Sequence, residues 1–455
     1  MSLWTSQAIA TATAGTVSTD FTATGVAYDS REVGPGDLFV ALKGESTDGH
    51  RFVGQAFAQG AAAVLVSDPV DGPHVRVADT TAALDALGAA ARARTAARII
   101  GVTGSVGKTG TKEALFACLD RTAPGRAHRS LKSYNNHVGV PLSLSRMAAD
   151  TRFGIFEMGM NHAGELAQLT QLVRPHVAIV TAIAPAHRAF FASDEEIADA
   201  KGEIFAGLEP GGVALVPYDS AHRDRLIAAA EPYAARIVTF GLSKEADVHP
   251  DYQHTTDKGT LVSARVGEIE LTFTLAPPGD HWLANAMAVL GAVQAVGGDL
   301  AAAGLALAEL PGLPGRGRRL HVPIASGEAL LIDESYNANP ASMAATLAVL
   351  GRTPGRRIAV LGDMKELGEE SPAFHAALAA PLAAAGVSTA ILVGENMAAL
   401  AEALEGRADF AHVPDAARAI EALKAMLAPG DAVLVKGSNS MGLSRVVAAL
   451  APEDC

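Results

Sequence analysis

The sequence predicts an α/β protein with mainly parallel sheets and more than one core, on three observations. The stretch Arg98 to Glu113, RIIGVTGSVGKTGTKE, runs from a short apolar segment into glycines and a Lys-Thr pair, the order of a strand, a phosphate loop and a helix. Later, the apolar runs ALLIDESYNANP, RIAVLGDMKELG, TAILVGE and AVLVKGS alternate with Ala-rich helical stretches, which predicts a parallel sheet in a three-layer fold. Finally, 455 residues, 49% of them apolar, are too many for one ordinary core and predict two or three domains.

Composition narrows the class. A net charge of -13 argues against a nucleic-acid surface, so an anionic ligand needs a dedicated site. No apolar stretch is long enough to span a membrane, and MSLWTSQAIATATAG lacks the basic head and apolar block of a secretory signal, so a cytoplasmic protein is expected. With only Cys118 and Cys455, neither a disulfide framework nor a multi-cysteine zinc site is available.

Residues 1 to about 95 read as a small α/β unit, with apolar runs at 37–42 and 61–66 between turn-rich segments. In YDSREVGPGDLFVALKGESTDGH, the residues Ser30, Arg31, Lys43, Asp48 and His50 bracket a strand. Arg31 and Lys43 suit a phosphorylated ligand, although composition alone favours a solvated loop.

The second region opens on the glycine loop. Its backbone N–H groups and the following helix N-terminus suit phosphate oxygens, Lys108 supplies a mobile positive charge, and the Thr109 hydroxyl suits Mg2+. Strict spacing would place the first glycine at Val102, so Gly101 and Gly104 make a variant loop. A helix-capping turn is the plain alternative; strand, Gly-Lys-Thr and helix together favour a nucleoside triphosphate site. In SYNNHVGVPLSLS, the amides of Asn135 and Asn136 suit either a polar ligand or local backbone groups. RFGIFEMGMNHAGEL ends a strand on Glu157 and opens a helix near Ala163, placing a metal-directed acid beside the loop. HVAIVTAIAPAH delivers His187 to the same candidate sheet edge. Lys201, in DEEIADAKGEIFAGL, is either a buried lysine with a depressed pKa or an exposed partner of Glu196 or Glu203.

In GDHWLANAMAVLGAV, His281 and Asn285 share one helix face, and the Asn285 amide suits a base edge or a packing contact. LPGLPGRGRRLHV, which carries Arg316, is a Pro/Gly-rich hinge into the last region. There Asp333 and Asn337 lie at one strand end, and Lys436, Ser438 and Ser440 at another, where doubly wound sheets bind ligands.

Taken in order, DSREVGPGDLFVALKG, TGSVGKTGTKE, NNHVGVPLSL, FEMGMNHAGE, AKGEIF, DESYNANPASM, LGDMKELG and KGSNSMG make the chain resemble the Mur ligases over nearly its whole length. The resemblance implies three domains: 1–95 for a UDP-muramoyl substrate, 96–313 as a central P-loop ATP-binding domain, and 314–455 as a C-terminal Rossmann-like domain. It implies ATP and Mg2+ as cofactors. Lys108, Thr109, Glu157, His187 and Lys201 would be catalytic, with Thr109, Glu157, His187 and a carbamylated Lys201 around the metal. ATP would meet Gly104, Ser105, Val106, Gly107, Lys108, Thr109 and Gly110, then Asn285, Arg316, Asp333 at the ribose, and Asn337. Ser30, Arg31, Asn135 and Asn136 would contact the UDP-muramoyl peptide.

Within the family, DESYNANP and LGDMKELG, with no DNPR stretch, point to the member that joins D-alanyl-D-alanine to UDP-N-acetylmuramoyl-tripeptide through an acyl phosphate. Another Mur or folylpolyglutamate-type ligase is the alternative, and a nucleotide-regulated binding protein is the alternative of another class. A monomer is expected. Four positions depart from the family pattern: Gly110 for Ser or Thr, Ala182 for Asn, Glu334 for Asp and Asn439 for Arg.

Overall fold

The computed structural model describes residues 2–44, 47–185, 190–256, 259–324 and 327–451. Its first strands are short: β1 (Trp4–Thr5), β2 (Thr16–Val17), β3 (Thr22–Ala23), β4 (Gly25–Ala27), β5 (Asp37–Val40), β6 (Ala63–Val66) and β7 (His74–Arg76). β1 and β3 form an antiparallel ribbon, and the others a sheet in the order β2-β7-β6-β5-β4. The apolar runs read at 37–42 and 61–66 are β5 and β6. Both are almost wholly buried, as parallel strands covered on two faces must be.

The central sheet contains β8 (Arg98–Thr103), β9 (Ala127–Arg129), β10 (Phe153–Glu157), β11 (Val177–Val180), β12 (Val213–Pro217), β13 (Arg236–Phe240), β14 (Val248–Thr256), β15 (Gly259–Val266) and β16 (Ile269–Leu275). Their order is β16-β15-β14-β13-β12-β11-β8-β10-β9. β8 lies between β10 and β11, parallel to both, at the point where the strand order reverses. Such a point opens a crevice at the carboxyl ends of the strands. Strand alternation builds a core on each side. Ile100, Val102 and Ile155 pack with the helices Lys108–Thr122, Asp280–Ala295 and Leu300–Ala308. Ile99, Phe156 and Val180 pack with Gly139–Ser145, Glu165–Val173, Asp194–Gly202 and Arg223–Ala230.

The last sheet contains β17 (Arg318–Ile324), β18 (Gly327–Glu334), β19 (Arg357–Gly362), β20 (Thr389–Val393), β21 (Asp409–Val413) and β22 (Ala432–Lys436), in the order β17-β18-β22-β19-β20-β21. Only β17 runs antiparallel to its neighbour. The Pro/Gly segment before β17 bends sharply, with Gly315 at φ +71° and Gly317 at φ +91°, where glycine avoids strain.

The first sheet is fastened to the central one. Its helix Thr80–Ala93 packs on Gly139–Ser145 closely enough that a Cβ at Gly88 would lie 3.2 Å from the Pro141 backbone. Buried Arg92 donates to the carbonyls of Val173 and Arg174, each at 2.9 Å. Among the described residues no helix is long and apolar enough to cross a membrane.

Candidate active site

β8 ends in the glycine loop because its geometry admits no side chain. Gly104 sits at φ +149°, and a Cβ there would lie 2.0 Å from Thr181 Oγ1; Gly107, at φ +87°, would collide with the Asn285 amide. The loop leads into the N-terminus of Lys108–Thr122, whose unpaired N–H groups favour anions. Lys108 Nζ donates to Gly104 O at 2.6 Å. Burial pushes the Lys108 pKa below the ordinary lysine value; Glu157 opposes that shift and Arg316 adds to it.

Beside the loop, β10 places Glu157 in register with Val102 of β8. Glu157 is 1% exposed, so its charge must be satisfied internally. Thr109 Oγ1 donates to Glu157 Oε2 and Asn135 Nδ2 to Oε1, each at 2.8 Å. Hydroxyl and carboxylate oxygens next to a phosphate loop are the donor type that Mg2+ prefers. Thr109 and Glu157 therefore fit that ion.

These residues line a cavity of about 560 Å3 between the central and last sheets. Ser105 to Gly110, Ser133, Asn135, Glu157, His281, Trp282 and Asn285 form the central wall; Arg316, Glu334, Tyr336, Asn337 and Lys436 form the facing one. Arg316 Nη2 donates to Ser133 Oγ at 3.0 Å, and its guanidinium lies 4.0 Å from the Tyr336 ring centroid. β18 and β22 present Glu334 opposite Lys436, with Nζ and Oε2 3.6 Å apart. Burial lowers the Lys436 pKa and raises that of Glu334, each partner opposing the other's shift. His281 is pushed down to about 4 by burial and by Lys436, so its ring is neutral at pH 7. A second cavity, about 590 Å3, lies among alanines of the last unit and gathers no comparable polar set.

The expected residues are distributed unevenly. Ser105 to Gly110, Asn135, Glu157, Asn285, Arg316 and Asn337 line the cavity, whereas Gly104 does not reach its wall and instead offers its carbonyl to Lys108. Lys201 is buried behind it in the helix Asp194–Gly202, close enough to Lys108 for the two to interact, and burial drives its pKa well below the ordinary value. The exposed reading of Lys201 is excluded. Asp333 does not reach the cavity wall, since its carboxylate accepts from Gly315 N, Ser335 N and Ser335 Oγ at the hinge. Asn136 accepts from Val138 N and Gly139 N, the local role that Asn residues fill in turns. Ser30 donates to Gln55 Oε1, and exposed Arg31 pairs with Asp29; neither lines the cavity. His187 lies outside the described residues.

Sequence reasoning missed Lys112, Ser133 and Trp282. Lys112 follows Lys108 by one helical turn, a spacing that puts both on one face and could have flagged it. Ser133 and Trp282 sit beside Asn135 and His281, but nothing in their own spacing distinguishes them.

Comparison with known proteins matches residues 22–93 to the model "Mur ligase family, catalytic domain", 102–293 to "Mur ligase middle domain" and 318–439 to "Mur ligase, glutamate ligase domain". The UDP-N-acetylmuramoyl-tripeptide–D-alanyl-D-alanine ligase of Escherichia coli is 38% identical over 436 residues, covering 95% of this chain and 94% of that ligase. A crystal structure of MurF from Acinetobacter baumannii superposes with a TM-score of 0.86 at 32% identity, covering 98% of each chain. MurF ligase from Thermotoga maritima in complex with ADP gives a TM-score of 0.76 at 26% identity, over 94% of this chain and 96% of that one.

Proposed function

The chain belongs to the Mur ligase family, and from that premise we propose that it joins D-alanyl-D-alanine to UDP-N-acetylmuramoyl-tripeptide, with ATP hydrolysed to ADP and phosphate, in peptidoglycan precursor synthesis. The observation that carries this reading at the site is the cavity where the phosphate loop, Thr109 and Glu157 face Arg316 across two sheets. The first unit holds the UDP-muramoyl end, with Ser30 and Arg31 on its loop; the central unit holds ATP, and the last unit completes the site. The enzyme works in the cytoplasm, where ATP and the nucleotide-linked peptide are available.

In this mechanism the loop amides and Lys108 hold the ATP phosphates, while Asn285, Arg316 and Asn337 complete the nucleotide wall. Thr109 and Glu157 would hold Mg2+, with His187 proposed as a further ligand, and the ion when bound would offset phosphate charge. Asn135 keeps Glu157 aimed, and Asp333 fixes the hinge that presents Arg316. The terminal carboxylate of the tripeptide attacks the γ-phosphorus, the bond from phosphorus to the ADP oxygen breaks, and an acyl phosphate forms. The amine of D-alanyl-D-alanine then attacks the acyl carbon; the carbon–oxygen bond to phosphate breaks, the nitrogen loses a proton, and the amide remains. Burial, with Lys108 nearby, drives the Lys201 pKa well below the ordinary value and so favours the free amine, which would add carbon dioxide and lose a proton to become an anionic carbamate.

The test is ADP release with UDP-N-acetylmuramoyl-tripeptide, comparing D-alanyl-D-alanine with single amino acids as acceptors. Turnover that depends on the dipeptide is expected. Turnover with a single amino acid alone would overturn the assignment.

A further inference from the structure

One turn beyond Lys108, the same helix buries a second lysine. Lys112 is fully enclosed, and its Nζ lies 2.5 Å from Lys132 O, 3.0 Å from Glu113 Oε1 and 3.8 Å from Glu157 Oε2. A desolvated ammonium persists only among acceptors and carboxylates. Here one of those carboxylates is the acid at the end of β10. The carbonyl it holds belongs to Lys132, a non-glycine residue at φ +50°, a conformation that surroundings must impose.

Lys132 also opens the segment that reaches the cavity. Ser133 Oγ lies 3.4 Å from Thr109 Oγ1 and accepts from Arg316, and Asn135 holds Glu157 Oε1. On the other side, the Lys132 ammonium and the Tyr134 hydroxyl both meet the Glu32 carboxylate of the first unit. Lys112 thus sits where the phosphate-loop helix, the metal-directed acid and the link to the substrate unit converge.

We propose that Lys112 is a positioning residue of the metal–nucleotide site, fixing the Glu157 carboxylate and the Lys132 carbonyl together so that Glu157, Asn135 and Ser133 keep one geometry. The inference rests on the reading that Thr109 and Glu157 bind Mg2+ with a nucleotide. Two effects of this cation oppose each other. Its charge repels a nearby divalent ion, so removing the charge alone would tighten metal binding. Its contacts orient the carboxylate, so losing them weakens metal binding.

The test is Lys112→Met, measured by calorimetric titration of ADP with and without Mg2+ and by hydrogen exchange of the 131–137 amides in the ligand-free protein. The expected result is Mg2+-dependent ADP affinity weakened roughly 10–100-fold, the range seen when a group supporting a metal ligand is lost. Metal-free ADP affinity stays as in the parent, and exchange at 131–137 accelerates. Unchanged or tighter binding of ADP with Mg2+ would overturn the proposal, as would unchanged exchange. The Lys112→Met/Glu113→Gln double variant removes one carboxylate with the cation and keeps the net charge of the cluster, in which Arg129 also pairs with Glu113, so it guards against a single variant that fails to fold. Its metal defect is expected to persist; full recovery would show that charge balance, not positioning, is the role. A parent protein whose ADP affinity ignores Mg2+ would instead overturn the metal assignment beneath the inference.

Discussion

At Gly110 the glycine in the first turn of the phosphate-loop helix has a packing cause. The Trp282 ring fills the space in front of this glycine, and a Cβ there would lie 2.9 Å from Trp282 Cη2. Both residues line the cavity, so the indole takes volume that a serine or threonine would need. Gly110→Ser is expected to lower stability by about 1–3 kcal/mol through overpacking, less a few tenths recovered in helix propensity. In a Trp282→Leu background the same change should be neutral or better, giving a coupling of about 1–3 kcal/mol in a thermal double-mutant cycle. Additive effects would mean that the ring yields freely. Lys108, Thr109 and Glu157 were legible because phosphate and metal chemistry restrict residue type and spacing. The Asn135–Asn136 pair was legible only as a pair, since which amide faces the cavity depends on a turn that brings Asn135 to Glu157 and Asn136 to the Gly139 amide. Lys112 was not legible, because its burial depends on the Lys132 carbonyl and on Glu157, 20 and 45 residues away.

Among the elements, β8 and β11 are joined beyond their ladder. His176, just before β11, accepts from Ile99 N of β8 through Nδ1 at 3.0 Å. Burial first, then Arg98 and Arg92, push the His176 pKa down from 6.5 to about 4. The unfolded chain therefore binds more protons between those values. The stability owed to the neutral ring is whole above about pH 6.5 and falls as pH drops toward about 4. His176→Gln keeps an acceptor that cannot titrate. Chemical denaturation across that interval should show its stability falling less steeply with acid, by at most about 1.4 kcal/mol per pH unit; an unaltered slope would remove His176 from the acid response. The strands flanking this contact were readable as apolar runs because parallel strands are buried on both faces. The antiparallel end of the central sheet, β14 to β16, was not. β14 is exposed from Asp251 to Thr256, and β15 alternates buried with more exposed positions, so neither gives an unbroken apolar run. β17 was read only as the end of the hinge segment, since its pairing with β18 depends on the turn through Gly315 and Gly317.

For the whole molecule, the question is what keeps the last sheet closed over the central one. Among the described residues, two arginine contacts cross that boundary. Arg352 pairs with Asp280 through two bonds of 3.1 Å, but the side chains are 62% and 53% exposed. Its hydrogen bond to Arg352 holds the Asp280 carboxyl below the ordinary carboxylate range, so the pair stays charged at neutral pH and dissolves only as acid protonates Asp280. An exposed pair of this kind contributes about 0–1 kcal/mol and weakens in salt. Arg316 instead reaches Ser133 inside the cavity and stacks on Tyr336, so one half-buried side chain makes both a hydrogen bond across the boundary and a cation–π contact. The hinge supports it from behind through Asp333, whose carboxylate holds Gly315 N. Closure should therefore depend on Arg316 and hardly on Arg352. In X-ray scattering of the ligand-free protein, Arg316→Ala is expected to raise the radius of gyration, while Arg352→Ala stays with the parent at physiological salt. The opposite ranking would place closure in the rim ion pair and make the domain arrangement strongly salt-dependent. An unchanged radius in both variants would assign it to the apolar contact around Trp282 and Gly317, where the indole nitrogen approaches the hinge.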